Sequence, residues 1–379
     1  MQGAFSLQLA HLLSSPEKIR RHVVKGSLLA PLAVGQPIPL PTESSIRDEN
    51  VLKAVLGIIE IFNQSNSGDF VAAFHAAVTA IAQVGTLTRL ADFPSHNAIS
   101  VLIGLVAVAK SLSLRGNASR QPLLDALRLE YAHLRRDARM DSDKRSGMAL
   151  CLIEIIKICV SDQVPGIVDS LLASGQGILD LEQLPSSVAV TLKFYMSKHL
   201  LFLDQFSDAR SELITAYKSI KLNYASQQEH VLWYLIPLQL AQGLFPSRQK
   251  ILTRFPNLKA TYGPLLREVR RGNLFEVRNW ICRLNLDIHF FVLTRRIELV
   301  VFRRIIKRAF EVSGNRRRID FDTLKPIFDF AARVESSINV VEEIVANLVM
   351  DGMMTGYISY EEQALMLTGS NPFPNMADQ

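Results

Sequence analysis

From Val51 onward, apolar residues recur at spacings of three and four, and no sustained two-residue alternation appears before the last sixty residues. That spacing places apolar side chains on one stripe of a helix and not on one face of a strand. A chain patterned this way builds helix after helix and has no material for a large sheet. Helices are predicted over about residues 51–63, 69–84, 95–112, 120–136, 144–161, 164–174 and 187–203. Ahead of them, Ala30 to Pro41 carries enough Pro and Gly to break any helix, so residues 1–50 read as an arm or linker.

Beyond residue 200 the pattern becomes more specific. Phe206-Ser-Asp-Ala209-Arg-Ser-Glu-Leu213-Ile-Thr-Ala216-Tyr217 sets two alanines and a leucine at i, i+4 and i+7. Small residues at that spacing let two helices approach closely, as in a tetratricopeptide-like hairpin. Such hairpins cannot bury their apolar faces alone, so they stack into a solenoid. No full repeat signature recurs, which makes the repeats of residues 51–199 and 200–300 degenerate. Pro237 should kink a helix that Gly243 and Pro246 then end. Pro264 is expected in the first turn of the next helix, and Arg271-Gly-Asn-Leu274 supplies the turn into the one after.

Residues 301–370 change character again. Phe302, Ile305, Ile306 and Ala309 form one apolar stripe, Ile319–Phe321 reads as a short strand, and Leu324–Val334 as a helix. Asn339 and Glu342 are spaced as a capping box for the next helix, whose buried face is Ile338, Val341, Ile344, Val345 and Leu348. Tyr357–Tyr360 and Ala364–Leu367 can pair as a two-stranded wing. Helix, strand, helix, helix, hairpin is the order of a winged helix, and residues 371–379 form a tail. The fold class is therefore all-α, a solenoid of helical hairpins capped by a winged helix with a small β wing.

Charge is concentrated where this module begins. Lys250–Arg318 holds 17 Lys and Arg against 5 acidic residues, a local net of +12 in a chain of +6, so the remainder sums to −6. From Val334 onward there are seven acidic residues and no Lys or Arg. Arg303, Arg304, Lys307 and Arg308 fall opposite Phe302 and Ile306 on one helix, and Arg316, Arg317 and Arg318 follow in the next loop. These seven cations are the candidate nucleic-acid contacts, able to neutralise phosphates without reading bases. A solvated basic helix face, or a basic face for a protein partner, is the alternative. The helix from Asn339 to Met350, which would be the groove reader of a DNA-binding protein, carries Glu342 and Glu343 and no cation. Binding without sequence preference, strongly weakened by salt, is expected. Tyr357 and Tyr360 are open to two roles, stacking on bases or closing the sheet edge.

Other function classes find little support. Eight histidines are scattered without HxxxH or HExxH spacing, and no Gly-rich phosphate loop, GxSxG elbow or dinucleotide fingerprint occurs. His289 beside Phe290 and Phe291 reads as a packed helix residue. No catalytic residue and no cofactor is expected. The three cysteines, Cys151, Cys159 and Cys282, include no CxxC pair for zinc, and their sparse, odd number fits a reducing compartment. Residues 1–15 lack the basic start and cleavage site of a secretory signal, and the longest apolar run, Ile99–Ala109, is short for a bilayer, so no membrane insertion is expected.

Three stretches carry a resemblance: Leu235-Ile-Pro-Leu-Gln-Leu-Ala-Gln-Gly-Leu-Phe-Pro-Ser247, Tyr262-Gly-Pro-Leu-Leu-Arg-Glu-Val-Arg-Arg-Gly-Asn273, and Gly356-Tyr-Ile-Ser359 with Asn371-Pro-Phe-Pro374. Together they resemble the messenger-RNA export branch of the PCI-domain family over roughly residues 200–374. The signalosome-associated branch is similar. Glu268 departs from the pattern, standing where that family usually carries a small residue. The resemblance implies a non-catalytic subunit of a transcription-coupled export complex in the nucleus, at the pore. It implies hetero-oligomeric partners: a larger PCI-bearing scaffold, a small acidic disordered subunit, and RNA or DNA on a surface shared by two winged helices. Arg267, Arg270, Arg271 and Arg278 would suit the acidic subunit. The strand holding Tyr357, Ile358 and, at its end, Tyr360 would suit a neighbouring wing. An architectural subunit of a signalosome-, proteasome-lid- or initiation-factor-like assembly is the alternative.

Overall fold

A computed structural model describes residues 49–88, 95–139, 141–246, 253–283 and 289–376. Most of the expected N-terminal arm lies outside the described residues. The chain divides into two compact units, one ending at Tyr195 and one starting at Met196.

Among the described residues the first unit is built of helices: α1 (Glu49–Asn66), α2 (Phe70–Leu87), α3 (Ser95–Gly116), α4 (Gln121–Asp137), α5 (Ser142–Asp162), α6 (Gly166–Gly175), and the start of α7 (Ser186–Phe202), which runs across the division. Alanines make its close crossings possible. Ala73, Ala77 and Ala80 of α2 are fully buried, and a Cβ added to Gly57 of α1 would meet the Ala80 methyl at 3.1 Å. Phe70–Leu87 and Ala98–Gly116 are long and apolar enough to cross a membrane by length and composition, because the apolar run extends past Ile99–Ala109. In this structure they pack on each other, with Phe74, Ile81, Leu102 and Val106 in the core.

The innermost helix of the unit is α5, which is buried on nearly every side from Met148 to Val160. Asp141 caps it, accepting from the backbone N–H groups of Asp143 and Lys144. Cys151 and Cys159 lie on it as core residues, as their spacing suggested. Burial pushes the Cys151 thiol far up, helped by the Glu130 and Glu154 carboxylates, and lifts Cys159 to about 11. Both stay protonated and inert.

The second unit completes α7 and adds α8 (Phe206–Ser219), α9 (Ala225–Ala241), α10 (Pro256–Arg271), α11 (Leu274–Arg283), α12 (His289–Val312), β1 (Arg318–Asp320), α13 (Phe321–Ala332), α14 (Ile338–Met350), β2 (Gly356–Ser359) and β3 (Ala364–Leu367). Helices α8 and α9 pack as the expected hairpin, with Ala209, Leu213 and Ala216 fully buried.

Two of the motifs turn out to be one device. Pro237 sits inside α9 and has no N–H, so the carbonyl of Trp233 one turn earlier loses its helical partner. The Tyr262 hydroxyl of α10 donates to that carbonyl at 2.7 Å, and its ring stands edge-on to Trp233. Tyr262 is fully buried, and burial raises its pKa well above the usual phenol range. Pro264 is not at a first turn, because α10 begins earlier at Pro256. The carbonyl it orphans belongs to Ala260, which is exposed and open to water. Glu268, the departure from the family pattern, accepts from Arg271 and Asn273 at 3.1 Å each and fixes the turn at Gly272.

From α12 onward the order is that of a winged helix. The strands form an antiparallel sheet in the order β1-β3-β2, with Leu365 opposite both Ile319 and Ile358. The wing is thus three-stranded rather than two-stranded, because the short stretch before α13 joins it. A Cβ at Gly356 would come within 2.6 Å of the Met366 carbonyl oxygen, so only glycine fits there. The start of α14 also differs from expectation. Ser337 is the cap residue, without a side-chain capping bond, so Asn339 and Glu342 lie inside the helix and form no capping box. Phe302, Phe321, Phe328, Val341, Val345 and Leu348 make the core, and the Phe302 and Phe328 rings sit 4.7 Å apart.

Replacing Tyr262 by Phe keeps the packing but leaves the Trp233 carbonyl without a donor. The expected loss is about 1–3 kcal/mol, read as a lower unfolding midpoint in urea with little change in helical content.

Candidate nucleic-acid and partner interface

Helix α12 positions most of the candidate cations. Its buried stripe, Leu293, Ile297, Val300, Val301, Phe302, Ile305 and Ile306, fixes its rotation and therefore the direction of every arginine on it. Arg303 does not face outward. Its Nε donates to the Met353 carbonyl at 2.7 Å, an Nη donates to the Pro374 carbonyl at 2.6 Å, and the guanidinium lies over the Phe373 ring. Burial, then the neighbouring Arg304, lowers its pKa from the usual value. This is a structural staple between α12, the turn before β2 and the tail. As a correction to the phosphate-contact reading, both carbonyl bonds would have to break before Arg303 could turn to a ligand.

Arg304 is half-buried. It lies over the Phe245 ring at 5.1 Å, and Arg270 lies over the same ring at 4.7 Å. An Nη of Arg304 donates to the Arg270 carbonyl at 3.4 Å, while its buried Nε has no hydrogen-bond partner. Burial lowers its pKa, with Glu311 opposing the shift. Lys307 and Arg308 are exposed, one turn further along. Arg316 and Arg317 are exposed in the loop after α12, but Arg318 is paired with Asp320 at 2.9 Å and Glu362 at 2.8 Å. Its charge is largely neutralised locally.

A cleft of about 1120 Å³ opens between the end of α10, α12 and α13. Arg270, Arg271, Arg304, Lys307, Arg308 and Arg333 line it, along with the stapled Arg303, and Glu268 and Glu311 are its carboxylates. The arginine loop at 316–318 does not line it. The seven proposed cations are therefore divided among a staple, a cleft and a loop.

The residues offered to protein partners also divide. Arg278 makes a two-point bond to Glu298 at 3.0 and 2.9 Å, which ties α11 to α12 and raises the arginine pKa. Arg267, Arg271 and Arg278 are all exposed, but Arg271 pairs with Glu268 and Arg278 with Glu298, while Arg270 stacks on Phe245. In the wing, Tyr357 is 55% and Tyr360 73% exposed, while Ile358 is half-buried opposite Leu365. Among the described residues β2 is an edge strand, so its outer backbone groups are available for pairing. Helix α14 presents Glu343, Val340 and Met350 to solvent and has no cation.

Arg333 and Phe330 escaped the sequence reading. Arg333 is the last basic residue before the cation-free end. Phe330 breaks the spacing of the buried stripe Phe321, Leu324, Phe328 and Ala331, which is the sign of an aromatic residue facing out. Among the described residues no group of three or more His, Cys, Asp and Glu side chains is gathered as a metal site.

No family model matches the chain. Over 243 residues it is 23% identical to the PCI domain-containing protein 2 homolog of Drosophila melanogaster, covering 63% of this chain and 60% of that protein. It is 21% identical over 243 residues to PCI domain-containing protein 2 of Xenopus laevis, with the same shares. Several of the chain's relatives are named PCI domain-containing protein 2. The Protein CSN12 homolog of Schizosaccharomyces pombe is 24% identical over 198 residues, 52% of this chain and 47% of the relative. The chain thus spans about half to three fifths of the length of these curated relatives. The likeness agrees with the helical hairpins and winged helix of the structure.

Replacing Arg303 by Ala removes both carbonyl bonds and should cost about 1.5–3 kcal/mol of stability. Lys307→Ala should stay within about 0.5 kcal/mol, since the side chain is exposed. Chemical denaturation of the two variants checks the difference in role along one helix.

Proposed function

We propose that the chain is a non-catalytic PCI-type scaffold subunit of a nuclear messenger-RNA export complex, contacting RNA or DNA without sequence specificity. The supporting observation is the separation of charge across the winged helix. Exposed cations cluster on α12 and the loop after it, while α14 has only carboxylates, amides and apolar groups on its outer face. Driving α14 into a polyanionic groove would set Glu342 and Glu343 against phosphates. Neutralising a backbone with Lys307, Arg308, Arg316 and Arg317 needs no groove and reads no base.

The partners follow from the same family. A larger PCI-bearing scaffold would pair with the β2 edge near Tyr357 and Tyr360, and a small acidic disordered subunit would lie along the basic side of α10 near Arg267. Nuclear placement at the pore belongs to this proposal. A second reading, a purely architectural subunit of a signalosome-like assembly, draws on the self-pairing of Arg278, Arg303 and Arg318 and on the likeness to the CSN12 homolog.

The test is a gel-shift or anisotropy titration of single-stranded RNA by the protein together with its co-purifying partner. Affinity should fall steeply with salt, and each arginine removed should lower the slope of log K against log salt by about one. Reversing charge at Arg316 and Arg317 should weaken binding equally for unrelated sequences. Base-specific affinity that survives those reversals overturns the nucleic-acid reading.

A further inference from the structure

The geometry points to the cleft between α10, α12 and α13 as a track for single-stranded nucleic acid, with Phe330 as the platform on which a base stacks. This rests on the preceding proposal that the protein contacts nucleic acid, and it moves the principal contact from the arginine loop into the cleft.

Charge comes first. Arg303 aside, six cations face the cleft against two carboxylates. Glu268 is already engaged by Arg271 and Asn273. Two of the guanidinium groups, those of Arg270 and Arg304, lie on one phenyl ring, that of Phe245. The buried Nε of Arg304 has no hydrogen-bond partner. Six cations against two carboxylates call for a polyanionic ligand, and at about 1120 Å³ the cleft exceeds the roughly 300–1,000 Å³ of an ordinary small-molecule pocket.

Phe330 supplies the second requirement. It lines the cleft, is 87% exposed, and lies off the buried stripe of α13, so the fold gains nothing from its ring. A basic track with an exposed aromatic ring at its side is the arrangement that holds unpaired bases, whose π faces stack while the backbone follows the cations. Arg333, three residues further on and held over Phe275 at 4.4 Å, lines the same cleft. A duplex keeps its bases inside its own stack and gains nothing from Phe330. A run of acidic side chains can pair with the same arginines but offers no π face to Phe330.

The test compares a mixed-sequence single-stranded RNA 12-mer, the same sequence as a duplex, and polyglutamate, all titrated against the full chain with its co-purifying partner. Phe330→Ala should weaken single-strand binding about ten- to a hundredfold, the loss of one stacked base. It should leave duplex binding and the melting temperature unchanged, and Phe330→Trp should restore affinity. Lys307→Glu with Arg308→Glu should weaken both nucleic acids. Equal single-strand affinity for Phe330→Ala and the unsubstituted protein overturns the stacking track while leaving salt-dependent binding, and so the broader reading, intact. Polyglutamate competing as well as RNA at equal charge, with the same loss in Phe330→Ala, overturns it in favour of an acidic peptide. No salt-dependent binding of either nucleic acid overturns both proposals.

Discussion

The second unit is constrained above all by the continuity of α12. One unbroken helix, His289–Val312, runs through the expected join near residue 300 and packs on α9, α10 and α11 as well as on α13 and α14. Its apolar stripe has to satisfy the helical hairpins with Leu293, Ile297 and Val300 and the winged helix with Phe302 and Ile306. A helix so gripped cannot rotate, and the directions of its arginines are consequences of that grip. Arg303 is turned into the seam with the tail, while Lys307 and Arg308, one turn on, are turned into the cleft. Stapling and cleft-lining cations thus lie a turn apart on one element.

Periodicity made much of the architecture legible. The helices of the first unit lie within a few residues of the positions their apolar spacing gave, and the Ala209, Leu213, Ala216 trio is buried as its spacing required. Local chemistry served less well at boundaries. The capping box at Asn339 was a matching spacing on the wrong turn, and Pro264 marked an interior position because an exposed carbonyl needs no protein donor. The bond from Tyr262 to Trp233 joins residues 29 apart and cannot be read from either motif alone, although each proline advertises a missing N–H.

Charge counting located the basic region and could not assign its members. Whether an arginine meets solvent, a carbonyl or a carboxylate depends on helix rotation and on strands far away in the chain. Arg318 finds Glu362 only because β1 pairs with β3. Arg278 finds Glu298 only because α11 packs on α12. Phe330 was hidden for the opposite reason: an aromatic residue in an amphipathic helix reads as core unless its phase is checked against its neighbours.

The tail closes the unit late. The Thr355 N–H donates to the Pro372 carbonyl at 2.9 Å, Arg303 reaches the Pro374 carbonyl, the Phe373 ring lies 5.7 Å from Phe310, and Met376 is buried against Gly243 at the end of α9. A nascent chain whose residues 371–376 are still inside the ribosome lacks every one of these latches. The seam between α12 and the wing therefore cannot latch before residues 371–376 have emerged, and whatever engages the chain earlier meets that seam unlatched.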